Sequence, residues 1–394
     1  MERNVATRLL LLTPAELTRD TRARRAAVAA RMFGYDVVGL CGRISGEAPA
    51  PLEGVTVVRV GREGRTHAQW KLGEDVRREP AAVRELRGLF RLIRYAARTA
   101  TLVRGGRTLG RFDVVHANDL DTLAAGYVLA RRSGASLVYD AHELYSEFEP
   151  TPPRLARALL LRLERTLARR ADAVVTVSDA IADELRNRFR VEPVVVLNAP
   201  PLDPREAPEP AREPLRLVYQ GAFGPGRPLA HLVAAIREAP NVRLTLRVSR
   251  MSAAEVRATV PDDLATRVDA ADAVPPGEVV DALHGHHIGL VFDRPSTRNA
   301  ELSSPNKLFE YLMAGLAVVA PRLPGLAWIE EQRVGLCFDP GSPSAMAAAF
   351  ERLDEDRALL GEVRANARAA AVERYNAEAQ RQALARAWGL DASS

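Results

Sequence analysis

Short apolar or β-branched runs alternate with longer helical patterns along almost the whole chain. This alternation is typical of parallel sheets, because two parallel neighbours need a long crossover between them, usually a helix. The first half contains seven candidate strands, at 8–13, 35–41, 55–60, 112–116, 136–140, 173–177 and 194–197. The second half contains five, at 215–220, 243–248, 288–292, 317–320 and 335–338. The pattern predicts an α/β protein with two separate parallel sheets.

A proline-rich stretch divides the two halves. Prolines at positions 200, 201, 204, 208, 210 and 214 oppose both helix formation and sheet pairing, which indicates a linker. The predicted organisation is an N-terminal domain at 1–198, a linker at 199–214, a C-terminal domain at 215–375, and a last helix with its tail at 376–394. A ligand shared by two such domains is expected in a cleft between them, beyond the carboxyl ends of the strands.

Composition excludes several classes of protein. The longest apolar stretches, such as 311–320, fall short of the roughly 18 residues of a spanning helix, and the leucines at 9–12 are too few for a secretory signal. Cys41 and Cys337 are the only cysteines, so neither a disulfide framework nor a zinc–cysteine site is expected. A cytoplasmic location follows as the prediction. The 55 basic residues outnumber the 50 acidic ones only slightly, and with no nucleic-acid-binding motif present we expect no nucleic acid partner.

The segment 301–315 carries a complete set of helix signals. Ser304 fits the N-cap, Pro305 fits the first helical position, and Gly315 fits the stop. The free amides of such a first turn favour an anion, for example a diphosphate.

Two charged residues strengthen this interpretation. Lys307 lies in the first turn, and it is one of only two lysines in the chain, the other being Lys71. Glu310 follows Asn306 by four residues on the same helix face, so its carboxylate could accept hydrogen bonds from a vicinal diol such as ribose. The alternative is a well-capped core helix with an exposed Lys–Glu pair.

A glycine-rich turn follows the strand predicted at 215–220. Gly221 and Gly224 would let the backbone approach a phosphate closely, and Arg227 would supply positive charge. The alternative is an ordinary turn with a surface arginine.

The sequence SSPNKLFEYLMAGLAVVA at 303–320 resembles the donor-binding signature of retaining GT-B glycosyltransferases, family 4. Further segments resemble family motifs in the same order: FDVVHANDLDTL at 112–123, VYDAHELY at 138–145, AVVTVSDA at 173–180, VLNAP at 196–200 and YQGAFGPGR at 219–227. The resemblance implies two facing Rossmann-like domains, with a UDP- or GDP-sugar on the C-terminal one and the acceptor on the N-terminal one. It also implies that no metal ion and no separate cofactor take part.

Site residues follow from the resemblance. The implied donor-binding residues are Gly221, Gly224, Arg227, Ser304, Pro305, Asn306, Lys307, Leu308 and Glu310. The implied catalytic candidates at the ends of N-terminal strands are His142, Asp121 and Asp119. Acceptor-side candidates are Asp20, His116 and Glu143, although His116 is more readily interpreted as a structural residue at a strand end.

The chain departs from the family pattern at two places. Of the usual glutamate pair, Glu310 matches the second member, whereas Leu302 occupies the first position and Glu301 comes one residue early. Glu301 and Ser303 are therefore candidate sugar contacts. The glycine-rich loop that normally follows the first strand is replaced by TPAELTRD at 13–20.

The resulting prediction is a retaining glycosyltransferase with an unidentified acceptor: a glycan, a lipid-linked molecule or a small natural product. The alternatives are a sugar-nucleotide epimerase or hydrolase of the same fold, and a non-catalytic partner subunit.

Two local patterns have further interpretations. A helical face formed by Arg84, Arg87, Arg91, Arg94 and Arg98 could contact an anionic membrane at the inner face, or could be an ordinary solvated surface. The histidines at 284, 286 and 287 lack the partners and spacing expected of a metal site, so we expect a helix end there.

Overall fold

The computed structural model describes residues 7–14, 16–44, 51–64, 81–147, 153–206, 214–224 and 226–390. Contacts divide the chain into two compact units. The first unit comprises Met1–Val196, Thr297–Asn299 and Arg381–Ser394, and the second comprises Leu197–Ser296 and Ala300–Gln380.

The described part of the first unit contains one parallel sheet flanked by helices. Its strands are β1 (Arg8–Thr13), β2 (Asp36–Ile44), β3 (Val55–Gly64), β4 (Val114–Asn118), β5 (Ser136–Asp140), β6 (Ala173–Thr176) and β7 (Pro193–Val195), in the order β3-β2-β1-β4-β5-β6-β7. Its helices are α1 (Thr21–Met32), α2 (Ala81–Arg107), α3 (Leu120–Ser133), α4 (Arg154–Ala168) and α5 (Asp179–Phe189). The four leucines of β1 are fully buried, as expected for a central parallel strand covered on both faces.

The second parallel sheet consists, among the described residues, of β8 (Leu215–Gly221), β9 (Val242–Val248), β10 (Val268–Ala271), β11 (Ile288–Leu290), β12 (Ala317–Pro321) and β13 (Gly335–Phe338), in the order β10-β9-β8-β11-β12-β13. The helices of this half of the chain are α6 (Leu229–Glu238), α7 (Ala253–Arg257), α8 (Val279–Leu283), α9 (Arg298–Leu302), α10 (Asn306–Met313), α11 (Trp328–Glu331), α12 (Pro343–Glu355), α13 (Arg357–Glu373) and α14 (Ala377–Ala387). The prediction of an α/β fold with two Rossmann-like sheets is confirmed.

Several strands begin or end at other residues than expected, and two differences from the sequence-based expectation concern a whole strand or a candidate residue. β10 was not predicted, because Val268 is the one large apolar residue in this edge strand. β4 begins two residues later than expected, at Val114, so His116 lies in the middle of a fully buried strand and not at its end. Of the stretch predicted as a linker, residues 199–206 and 214 contain neither helix nor strand, and residues 207–213 lie outside the described ranges.

The end of the chain belongs to the first unit. Ala383, Leu384, Ala387 and Trp388 pack in the same core as Leu9 and Leu11 of β1. The indole Nε1 of Trp388 donates a hydrogen bond of 3.1 Å to Nδ1 of His116. The core of the first unit is thus completed by residues far from it in sequence.

No helix in the described ranges is both long enough and apolar enough to cross a bilayer.

Candidate functional site

In the second unit, the predicted donor residues gather around the end of β8. The ring of Tyr219 is stacked on Phe223, at 5.7 Å between ring centres, and tilted against Phe292 at 4.7 Å. Gly221 follows with φ +139°, a conformation that side-chain-bearing residues rarely adopt. A β-carbon on Gly221 would come 3.0 Å from Nζ of Lys307, so this close approach favours glycine.

Helix α10 is fixed beside β8 and β11 by one tyrosine. The hydroxyl of Tyr311 accepts a hydrogen bond of 3.1 Å from the amide of Gln220 and donates one of 3.2 Å to the carbonyl of Leu290. These bonds hold the first turn of α10, which carries Lys307, at the carboxyl ends of the two strands.

The predicted helix stop is confirmed, but the predicted N-cap is wrong. Gly315 has φ +70° directly after the C-cap, where it ends α10 as expected. Pro305, with extended backbone, occupies the N-cap, and Ser304 instead donates a hydrogen bond of 3.0 Å to the carbonyl of Gly325. The residue before a proline is biased towards extended backbone, which keeps Ser304 outside the helix.

Lys307 is the most unusual charged group of this cluster. Its Nζ is inaccessible to solvent, has no hydrogen-bond partner within the described residues, and lies 4.5 Å from the centre of the Tyr219 ring. Burial lowers the pKa of Lys307 to about 8, against the opposing effect of Asp293. A buried ammonium group without a hydrogen-bond acceptor is well suited to bind an anion.

Arg227 lies in the same cluster and forms an ion pair with Asp293, which follows β11. Asp293 was not among the predicted site residues. The sequence could have indicated Asp293 by the same criterion that selected His142, because Asp293 is a polar residue just after a predicted apolar strand. The backbone amide of Arg294 donates a hydrogen bond of 2.7 Å to the carbonyl of Gly226, so the two loops are joined at this point.

Glu310 faces the end of β8, where it accepts a hydrogen bond from the side-chain amide of Gln220. Asn306 is exposed and Leu308 is fully buried, so Leu308 contributes packing. Glu301 and Ser303 are half-buried, whereas Leu302 between them is 2% exposed. The side chain at the first glutamate position therefore packs in the interior.

The first unit holds a second cluster, at the carboxyl ends of β4 and β5. Nε2 of His142 lies 3.0 Å from a carboxylate oxygen of Asp119, and Nδ1 lies 3.8 Å from Asp140. Asp119 has φ +69° and ψ 156°, a region that is essentially reserved for glycine. Strained backbone of this kind is concentrated at functional sites.

The pKa values of this cluster are strongly shifted. Burial, together with the nearby carboxylates of Glu143 and Asp121, raises the pKa of Asp119 well above its ordinary value. Burial lowers the pKa of His142 to about 4, so its ring is neutral at physiological pH. Burial alone would raise the pKa of Asp140, but Arg22 and the two neighbouring histidines hold it below its usual range. A neutral imidazole next to a carboxyl group of raised pKa can donate and accept hydrogen bonds at a sugar hydroxyl.

The remaining first-unit candidates have structural partners. Asp20 caps α1 by accepting hydrogen bonds of 3.0 Å from the amides of Arg22 and Ala23. His116 is fully buried between Trp388 and Asp140, with Nε2 3.5 Å from the carboxylate. Asp121 lies 3.7 Å from Arg98, and Glu143 is half-buried.

The histidines at 284, 286 and 287 lie around the end of α8, as expected. His286 contacts the carbonyl of Leu283 and the hydroxyl of Thr245, each at 2.9 Å. His284 comes together with Asp203 and Asp281, whose carboxylates both pair with Arg205. A guanidinium group therefore already neutralises that acidic pair.

Two family models match the chain. The model described as Glycosyltransferase Family 4 matches residues 21–203, and the model described as Glycosyl transferase-like matches residues 227–386. Among curated proteins no sequence matches significantly.

Solved structures with the same fold are numerous. Sucrose-phosphate synthase from Thermosynechococcus elongatus is 16% identical and aligns over 97% of this chain and 98% of its own, with a TM-score of 0.67. HepE from Anabaena, solved in complex with UDP, is 15% identical over 97% of this chain and 100% of its own, with a TM-score of 0.65. CalG4, the calicheamicin glycosyltransferase, is 14% identical over 98% and 100%, with a TM-score of 0.57. The two family models, together with the two parallel sheets and the fold shared with these structures, show that the chain belongs to the GT-B glycosyltransferases, with the family 4 model matching its residues 21–203.

Proposed function

We propose that this glycosyltransferase moves a sugar from a nucleoside diphosphate sugar to an acceptor, with retention of the anomeric configuration and without a metal ion. The observation that carries the proposal is the buried Nζ of Lys307, which lacks a hydrogen-bond partner in the described structure and lies beside Gly221. Arg227 supplies a second positive charge in the same cluster.

Each residue of the cluster has a role in donor binding. Lys307 and Arg227 neutralise the diphosphate and stabilise it as a leaving group, which is the task of a metal ion in many transferases. Gly221 allows the diphosphate to approach the backbone. Glu310, held by Gln220, accepts hydrogen bonds from the ribose hydroxyls.

Retention is explained by reaction on one face of the sugar. The bond between the anomeric carbon and the diphosphate oxygen breaks, the acceptor oxygen attacks from the same side, and its proton passes to the departing phosphate. No covalent enzyme intermediate is needed, so fixed positive charge supplies most of the stabilisation. His142 and Asp119 are the residues we assign to contacts with the transferred sugar or the acceptor, with Asp121 beside them.

Uridine nucleotides are the first donors to test. HepE from Anabaena was solved with UDP, with UDP and glucose, and with UDP-glucose. GDP-sugars are the second choice, and the acceptor class is open between a glycan, a lipid-linked molecule and a small natural product.

The exposed side of α2 favours contact with an anionic membrane at the cytoplasmic face. Leu86, Phe90 and Ile93 follow one stripe of this helix and are 67%, 64% and 64% exposed. Exposed Arg87 and Arg94 flank the stripe. An apolar stripe bordered by arginines matches the chemistry of an anionic lipid surface.

The expected arginine face is only partly formed. Arg98 turns inwards and donates to the carbonyl of Pro14, and Arg91 is half-buried. The side chain of Arg84 lies outside the described residues. The apolar stripe, more than the arginines, faces solvent.

The central experiment is calorimetric titration of UDP, GDP, ADP and dTDP in the presence of a chelator. We expect one preferred nucleotide, whose binding weakens in Lys307→Ala and, by about 1.5–3 kcal/mol, in Glu310→Ala, because a charged hydrogen bond is lost. An unchanged Kd in Glu310→Ala would remove this residue from the site. The anomeric configuration of the product, read by NMR, tests retention.

Other outcomes would support the alternative functions. Consumption of the donor without any acceptor would indicate an epimerase or hydrolase. Absence of binding to all four nucleotides would indicate a non-catalytic partner subunit.

The membrane contact is tested by flotation with phosphatidylglycerol vesicles at low salt. We expect association that is lost in Phe90→Ser/Ile93→Ser and retained in Met32→Ser, since Met32 is a 63% exposed residue on α1. Equal flotation of both variants, or none for the wild type, would contradict the contact.

A further inference from the structure

The residues around the end of β8 that we assign to the diphosphate have a negatively charged side chain among them. The carboxylate of Asp293 accepts a hydrogen bond from Nε of Arg227, and the Asp293 side chain is 20% exposed. Arg227 is one of the two cations we assign to the diphosphate. In the free protein the guanidinium group of Arg227 is therefore already paired with the carboxylate of Asp293.

The backbone holds this pair in place. The amide of Arg294 bonds to the carbonyl of Gly226, and the amide of Arg227 bonds to the carbonyl of Gly224 at 2.8 Å. The loop after β11 and the turn after β8 thus present Asp293 and Arg227 to each other from fixed positions. Holding two side chains in one geometry costs entropy, which weakens exposed ion pairs.

Asp293 also acts on the second cation. Its negative charge favours the charged form of Lys307 and opposes the effect of burial on that amine. One carboxylate therefore pairs with Arg227 and also favours the charged form of Lys307. Glu310 adds a weaker effect of the same sign.

We propose that Asp293 is an internal counter-anion, which the diphosphate displaces from Arg227 on binding and which takes Arg227 back when the nucleoside diphosphate leaves. This inference rests on the proposed donor site. Like charges placed side by side cost free energy, so Asp293 weakens the binding of a nucleoside diphosphate and speeds its release.

The test compares two substitutions that remove the same charge from the same unit. Asp293→Asn removes the proposed counter-anion. Asp263→Asn removes the carboxylate that pairs with Arg237 at 2.7 Å on an exposed surface. The probe is UDP, or whichever nucleoside diphosphate binds the wild type, measured by calorimetry and by the dissociation rate in stopped flow.

At pH 6.5, where Lys307 stays charged, we expect Asp293→Asn to bind UDP about tenfold more tightly, with a correspondingly slower dissociation rate. Asp263→Asn should stay within about twofold of the wild type. Asp293→Glu retains the charge and should retain weak binding. Structural damage by the substitution would instead weaken UDP binding, so it cannot be mistaken for the expected increase in affinity.

A second readout is the pH profile. Because Asp293 favours the ammonium form of Lys307, its removal should move the alkaline loss of UDP affinity to lower pH. The other charged or titratable side chains of this cluster, those of Arg227, Glu310 and Tyr219, are the same in the variant and the wild type.

Equal or weaker UDP binding by folded Asp293→Asn, with normal binding by the wild type, would overturn the inference and leave the donor site intact. Failure of the wild type to bind any nucleoside diphosphate would overturn both. If Asp293→Asn does not fold, Asp293→Ser provides the same comparison.

Discussion

Gly289 lies so close to Tyr311 that a β-carbon on it would come 2.1 Å from the tyrosine ring. This glycine in β11 makes room for the side chain that joins α10 to β8 and β11. The position of Lys307 on α10 therefore depends on Gly289 having no side chain.

Gly289→Ala should destabilise the second unit by about 1–3 kcal/mol, because the core must move to accept the new atom. Gly361→Ala is the matched control: Gly361 lies inside α13, and apart from its chain neighbours and the local helix backbone no described atom lies within 4 Å of its new β-carbon. Alanine there should stabilise by about 0.5–1 kcal/mol. Thermal unfolding of both variants measures the contrast, and equal effects would contradict it.

Donor binding should depend on pH through Lys307. With a pKa of about 8 in the free protein, the amine is charged below pH 8 and loses its charge above it. A bound diphosphate favours the ammonium form, so the UDP affinity should be constant below pH 8 and fall by up to about tenfold per pH unit above it.

The control for this dependence is Lys307→Arg, whose guanidinium stays charged. It should show a flat profile between pH 7 and 9.5 by calorimetry. A flat profile for the wild type would show that Lys307 does not titrate in this range.

The backbone of Asp119 can be tested with two substitutions. Asp119→Gly relieves the strain and Asp119→Ala does not, although both remove the carboxylate. We expect the glycine variant to be more stable than the alanine variant by about 1–3 kcal/mol, the reverse of the usual order. Transferase activity should be lost in both. Greater stability of the alanine variant in urea unfolding would argue against strain at this position.

Inside the first unit, the hydroxyl of Tyr139 donates a hydrogen bond of 2.8 Å to Glu164. Burial raises the pKa of Glu164 to about 7 from an ordinary 4.5. The folded protein therefore keeps this proton up to about pH 7, whereas the unfolded chain releases it near pH 4.5.

The contribution of Glu164 to stability is fully present below pH 4.5 and is lost as the pH rises to 7, a difference of about 3 kcal/mol. Glu164→Gln should remove this part of the pH dependence. Urea midpoints at pH 5 and pH 8 measure it, with exposed Glu192→Gln as the control. An unchanged pH dependence in Glu164→Gln would rule out Glu164 as its source.

Much of the fold could be predicted from local sequence. β1, β5 and β13 begin and end where the apolar runs do, since parallel strands are buried on both faces. Gly221 and Gly315 both have positive φ, a conformation that glycine favours for local steric reasons and that the sequence can therefore indicate.

The parts that could not be predicted depend on distant residues. The bond between His116 and Trp388 spans 272 positions, and the pair of Arg227 with Asp293 spans 66. In neither pair does the sequence around one residue indicate which distant residue it will contact. The strand shift at β4, which changes the environment of His116, likewise depends on pairing with β1 and β5.

Trp388 and its neighbours in α14 have a consequence for the order of events during synthesis. The ribosome releases the first unit's sheet early, but the side chains of residues 383–388 that complete its core emerge only after the whole second unit. The second unit is an insertion within the first and can fold as soon as it appears. A nascent chain arrested before residue 383 should therefore carry an open first core.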